Sequence, residues 1–143
     1  MKKQNGITMM SLLIYIMAFV TIIGVLSSIT VFFNNNTKDI NMQTASNSEY
    51  NKFNLYMLEY TENDYNVSKI SEENTDIPFV TFSNGVSSNT FVLLENILYF
   101  NQIKLCENVD EFKIKKDIAE NGKDILKTYL KVNGTVYTTD YVL

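Results

Sequence analysis

At 143 residues the chain has room for one domain, and sixteen acidic against twelve basic side chains give it a formal charge of −4. Every basic residue is lysine and histidine is absent. That argues against a nucleic-acid partner, whose phosphates need a basic face, and against a Ser-His or Cys-His pair or an ordinary zinc site. The single Cys106 has no partner for an internal disulfide and is expected as a small buried apolar residue.

Residues 1–6 form a short basic leader, with Lys2 and Lys3 and no acid. Residues 7–33, Ile7 to Phe33, contain neither a charge nor a proline. As a helix at about 1.5 Å per residue this run spans about 40 Å, more than the about 30 Å of a bilayer's hydrocarbon core. Its hydroxyl side chains, such as Thr21, Ser28 and Thr30, can return their protons to backbone carbonyls, so they do not forbid burial in lipid. A membrane helix is expected here. The leader lysines hold the N-terminus in the cytoplasm and place the chain beyond Phe33 outside the membrane. The run is longer than the about 7–15 apolar residues of a secretory signal, and Ser28 to Phe33 supplies no small-x-small cleavage site.

Asn34 to Lys38 is polar and a poor helix former, and reads either as a linker or as part of one continuous helix. Residues 34–65 regain helical spacing from Ile40. Ser46, Tyr50, Phe53, Met57 and Tyr60 lie on one stripe at steps of three and four, with Asn47, Asn51, Asn54 and Glu59 on the rest. Residues 66–78 are polar, end in the only proline, Pro78, and read as a loop. Its acids Glu72, Glu73 and Asp76 lack the alternating spacing and glycine turn of a calcium loop and read as solvated charge.

From Pro78 the period becomes strand-like, and residues 66–143 are expected to form an extracytoplasmic domain built on an antiparallel sheet. Phe79 to Phe82 precedes the turn pair Asn84-Gly85. Thr90 to Leu94 and Ile97 to Phe100 are apolar on both faces and should sit centrally. Val109 to Lys115 sets Phe112 and Ile114 against Glu111, Lys113 and Lys115, and Asp117 to Lys123 reads as a loop. A last hairpin turns at Asn133-Gly134, so Val132 faces Thr135, Leu130 faces Tyr137 and Leu126 faces Tyr141. The fold class is α+β: a long N-terminal helix, its first half transmembrane, packed on a sheet of five or six strands. Phe53 is expected against the face carrying Leu126, Leu130 and Tyr137, with Tyr50, Met57 and Tyr60 on the same helix stripe.

The junction Lys3-Gln4-Asn5-Gly6-Ile7-Thr8-Met9-Met10-Ser11-Leu12-Leu13 resembles the prepilin signal of type IV pilins and pseudopilins. In that family a short basic leader ends in Gly, and the apolar helix after it usually carries Glu at the position held here by Ser11. Leu98-Tyr99, the strand Asn108 to Ile114 and the final hairpin are also similar to the C-terminal region of minor pseudopilins. The resemblance implies a pilin-like fold, cleavage after Gly6 by a prepilin peptidase, and methylation of the amine of Ile7. The partners it implies are the membrane, other pilin or pseudopilin subunits, and the assembly platform protein. Ser11 stands where the family's Glu neutralises the amine of a neighbouring subunit, which points to a tip or initiating position.

The function expected is therefore that of a minor pilin or pseudopilin, a structural subunit and not an enzyme, with no cofactor, metal or catalytic residue. The resemblance leaves open whether the machine serves adhesion, motility, DNA uptake or secretion. The rival reading is a signal-anchored extracytoplasmic binding or sensory domain that never polymerises.

Overall fold

The computed structural model describes residues 3–63, 65–71, 75–120 and 122–143, with side chains from Met9 onward. Glu72 and Glu73 of the acidic loop lie outside these. Helix α1 runs Lys3–Glu62, so residues 34–38 are helical. Nothing in it forces a break, because it has no proline and its hydroxyls are returned along the helix. Thr21 donates to the Met17 carbonyl, Ser28 to Gly24 and Thr30 to Leu26, at 2.9–3.1 Å. The helix stops at Glu62, short of the expected Tyr65, where the Asn63 amide donates to the Glu59 carbonyl at 2.8 Å.

The chain separates into two compact units, Met1–Asn41 and Met42–Leu143. In the first, every described side chain from Met9 to Asn41 is exposed. The second contains the remainder of α1 and the strands β1 (Asn66–Ile70), β2 (Phe79–Ser83), β3 (Ser88–Leu94), β4 (Ile97–Phe100), β5 (Ile103–Cys106), β6 (Val109–Ile118), β7 (Asp124–Val132) and β8 (Thr135–Val142). The long N-terminal helix packed on antiparallel sheets makes the fold α+β.

The strands form two sheets, not one of five or six strands. Strands β1 to β5 make one in sequence order, and β6 to β8 make the other. Strands β3 and β4 are central, as their two apolar faces require. The unexpected members are β1, inside the stretch read as a loop, and β5. Strand β1 is polar because it is an edge, with only Val67 and Ile70 turned partly inward. Strand β6 also continues to Ile118, which shortens the expected loop at residues 117–123.

Short turns set the registers. Glu95-Asn96, Asn101-Gln102 and Asn133-Gly134 each have positive φ at both residues, the handedness that fits a two-residue hairpin to twisted strands. Only the last contains glycine, at φ 78°. Asn101 is held in its turn by its own side chain, which accepts the Thr90 N–H at 2.8 Å and donates to Asn89 at 2.6 Å. Strand β7 pairs with β8 without a register shift, including Leu126 with Tyr141, Leu130 with Tyr137 and Val132 with Thr135.

The core lies between the outer half of α1 and both sheets. Phe53 is fully buried, its ring edge-on to Phe91 of β3 at 6.0 Å and to Phe112 of β6 at 5.8 Å. One helix side chain thus closes onto both sheets. Leu126 and Leu130 belong to the same buried cluster, as does Met57. Removing such surface from water, at roughly 25 cal/mol per Å², is the main stabilising contribution of the helix stripe.

Candidate assembly helix and its attachment to the sheets

The residues singled out in the sequence fall into two groups. Gly6 and Ile7 lie in the helical backbone of α1, and their side chains are outside the described residues. Ser11 is exposed. It stands in a stretch whose neighbours Leu12 and Leu13 are also exposed, at 59% and 54%. From Met9 to Phe33 this part of the helix has no buried face at all. It is long and apolar enough to cross a membrane.

The second group meets in the Met42–Leu143 unit. Phe53, Met57, Leu126 and Leu130 are buried together, and Tyr50, Tyr60 and Tyr137 pack against them from the margin. Tyr60 turns to the five-stranded sheet, 5.2 Å from Phe100 between ring centres, while Tyr50 stacks on Tyr137 of the other sheet. The stripe is therefore divided between two sheets, and Leu126, Leu130 and Tyr137 form only one of its two counterparts.

Polar residues beside the stripe tie the helix to β8. Tyr137 Oη donates to Asn47 Oδ1 at 2.7 Å, and Tyr141 Oη donates to Asn54 Oδ1 at 2.7 Å. Between them the Tyr50 and Thr139 hydroxyls meet at 2.5 Å. Helix residues 47, 50 and 54 thus engage every second residue of the strand. The spacings match: seven helix residues rise about 10.5 Å, and four strand residues advance about 13 Å. Periodicity assigns Asn47 and Asn54 to the solvent side. Asn47 is exposed, and accepts from Tyr137 at the margin, whereas Asn54 is half-buried and gives the hydroxyl of the buried Tyr141 its acceptor. The signal was present in the alternation Tyr137, Thr139, Tyr141, which puts three hydroxyls on the inner face of one strand.

A second fastening joins the helix to the turn between β5 and β6. Glu49 accepts the Glu107 N–H at 2.9 Å and pairs with Lys52 at 2.6 Å. The hydrogen bond from Lys52 to Glu49 holds the ammonium above its usual pKa. Cys106 is fully buried and directs its thiol to the Glu49 carbonyl at 3.2 Å. Burial first, and the nearby Glu49 charge second, push that thiol up to about 12. A thiol so held is a weak nucleophile at neutral pH.

The outer face of β6 to β8 floors an open cleft of about 660 Å³, walled by Ser71, Pro78 and Leu93. Its floor is charged, with Lys113 lying over the ring of Tyr129 at 5.6 Å and Lys127 paired with Asp117 at 2.8 Å. Among the described residues no three His, Cys, Asp or Glu side chains are grouped to hold a metal ion. No protein-family model, no curated protein and no solved structure matches the chain.

Proposed function

We propose that the chain is a minor pilin-like subunit, held in a membrane by the apolar part of α1 and then built into a filament whose interior is made of such helices. The observation that carries this reading is the stretch Met9 to Phe33, apolar and exposed on every side. A helix hydrophobic all round needs lipid or other helices about it, and a pilin-like subunit provides first one and then the other. The sequence adds Gly6 directly before the uncharged run, with Lys2 and Lys3 ahead of it. In this reading a prepilin peptidase cuts after Gly6, the amine of Ile7 is methylated, and the sheet domain stands outside the membrane. The role is structural, and the partners are other pilin-like subunits and the assembly platform protein.

Mass spectrometry of protein extracted from membranes of cells with an active prepilin peptidase tests the processing step. The expected mature chain starts at Ile7, and Gly6→Arg leaves it full length. A wild-type chain that keeps Met1 or Lys2 under those conditions sinks the proposal.

One observation favours a non-polymerising anchored domain, namely that position 11 carries a hydroxyl where the family places a carboxylate. The same cells distinguish the two. A processed subunit recovered in sheared filament fractions belongs to the filament, and one confined to membranes is an anchor.

A further inference from the structure

We propose that the outer face of the five-stranded sheet binds an extended acidic polysaccharide, its sugar rings lying across Phe79, Val92 and Tyr99 and a carboxylate meeting Lys69. This goes beyond the pilin-like reading and does not rest on it.

The registers place the row. Phe79 pairs with Val92, and Val92 with Tyr99, so the three stand side by side on neighbouring strands. The residues next to them along the strands, Val80, Phe91, Leu98 and Phe100, are buried in the core. Phe79, Val92 and Tyr99 therefore point out of the other face, where they are half-buried and outside the core cluster. Leu94 and Ile97, paired with each other, extend the apolar surface by one step along the strands. In the opposite direction the next step is polar. Thr81 pairs with Thr90, their hydroxyls 3.0 Å apart, and Lys69 pairs with Thr81.

Size argues against a protein as the occupant. The apolar positions are three strands wide and two side chains long, about 10 Å by about 7 Å. A stable contact between two copies needs about 800 Å² on each, several times what side chains on such a footprint offer. A second sheet laid on this face would also need apolar residues running along the strands. Here that run stops at Thr81 and Thr90.

A sugar chain fits the narrow row. Phe79 and Tyr99 are two strands apart, about 9.5 Å. That is close to the repeat after which a ribbon-like glycan shows the same ring face again. The apolar faces of the sugars take the row and their hydroxyls take the Thr81–Thr90 pair, the mixture of apolar surface and few polar groups that ligand sites use. Charge selects an acidic glycan. The chain has sixteen acids against twelve basic residues. Yet among the described strand residues of this face the charges are Lys69 and Lys104 alone. The acids Glu95 and Glu107 stand in turns beyond β3 and β5, and Glu107 is paired with Lys104 at 2.6 Å. Lys69 is exposed and in no ion pair among the described residues, so a carboxylate of the ligand can take it.

The test is calorimetric titration of the full chain, in micelles of a detergent without a sugar headgroup. The probes are a mannuronate hexamer, which is extended and acidic, the neutral cellohexaose, and polyglutamate, an acid without sugar rings. The mannuronate hexamer should bind most tightly, cellohexaose about tenfold or more weakly, and polyglutamate not at all. Phe79→Ala and Tyr99→Ala lie outside the core, so near-ultraviolet circular dichroism should stay native while binding of both sugars falls by about tenfold or more. Lys69→Gln should bring the mannuronate hexamer down to the level of cellohexaose and leave cellohexaose unchanged. Failure of both sugars to bind overturns the site. Polyglutamate binding as tightly as the mannuronate hexamer, or mannuronate binding untouched by Tyr99→Ala, overturns the row as its seat. A dimer in sedimentation that Tyr99→Ala abolishes would make the face a contact between copies and overturn the glycan. A mature chain found to start at Met1 would remove the pilin-like reading and leave the titration result standing.

Discussion

The ring of Tyr50 on the helix lies flat on that of Tyr137 in β8, with centres 4.3 Å apart and planes 5° from parallel. Each hydroxyl goes to a different partner, Tyr50 to Thr139 and Tyr137 to Asn47. The pair is thus apolar toward the core and polar toward water, as amphipathic aromatics at a margin require. With Asn54 and Tyr141 it forms a polar border along one side of the helix stripe.

That border gives the first prediction. Asn54→Ala removes the acceptor of the Tyr141 hydroxyl and should cost about 1–2 kcal/mol. Asn51→Ala, on the exposed side, should stay within about 0.5 kcal/mol. Tyr141→Phe combined with Asn54→Ala should cost less than the sum of the two, a coupling that a double-mutant cycle in chemical denaturation reads directly. Strict additivity would refute the pairing.

Phe53 carries the second. Its ring lies between Phe91 and Phe112, so Phe53→Ala opens a cavity that touches both sheets and should cost about 3–5 kcal/mol. Leu55, two residues on, is 67% exposed, and its truncation to alanine should move the transition by less than about 0.5 kcal/mol. Near-ultraviolet circular dichroism melts of the full chain in detergent should separate the two variants widely.

Stability should fall on the alkaline side. The Cys106 thiol ordinarily ionises at 9.0 and is pushed up to about 12 in the fold. Burial also raises the phenols of Tyr141, Tyr137 and Tyr60. Above pH 9 the unfolded chain therefore releases protons that the folded chain retains, so unfolding is favoured as pH rises. The thiol's contribution is intact below its unfolded value and is lost as pH climbs toward its folded one. Cys106→Ala should lower stability at neutral pH yet flatten the first part of that decline. Denaturation midpoints measured from pH 7 to pH 10.5 in steps of about half a unit would register it. An unchanged slope in the variant would count against the buried thiol as its source.

Position 11 sets the filament prediction. An ammonium buried among helices without a partner costs several kcal/mol. A subunit with Ser11 in place of a carboxylate is best placed where no amine lies above it. The wild-type protein should label filament tips by immunogold, and its loss should reduce filament number more than filament length. Ser11→Glu should allow incorporation along the shaft. Even labelling of the wild type along the shaft would rule out the tip position.

Local chemistry made some of this architecture legible. The Asn133-Gly134 turn fixed the last hairpin because glycine and asparagine tolerate positive φ, and the pairing of Leu126, Leu130 and Val132 then came from the two-residue period. Strand β5 was hidden because its turn, Asn101-Gln102, has no glycine to mark it. Strand β1 was hidden because an edge with one partner needs few apolar residues. The division into two sheets has no local signature, since it depends on Phe53 fitting between Phe91 and Phe112. Asn54 was misplaced because periodicity counts an amide as solvent-seeking, whereas beside a buried tyrosine it is a partner.

The common direction of the helix and β8 has a mechanical consequence. Within the Met42–Leu143 unit, helix residues 47, 50 and 54 meet strand residues 137, 139 and 141 in that order, so a pull along this part of α1 loads the contacts nearly in line. Contacts loaded in shear yield together, whereas contacts at right angles to a pull open one at a time like a zip. Resistance to such a load is a matter of unfolding rate and not of equilibrium stability. A pull along the packed part of α1 would therefore leave the sheets attached through a load that would peel a strand running across the helix.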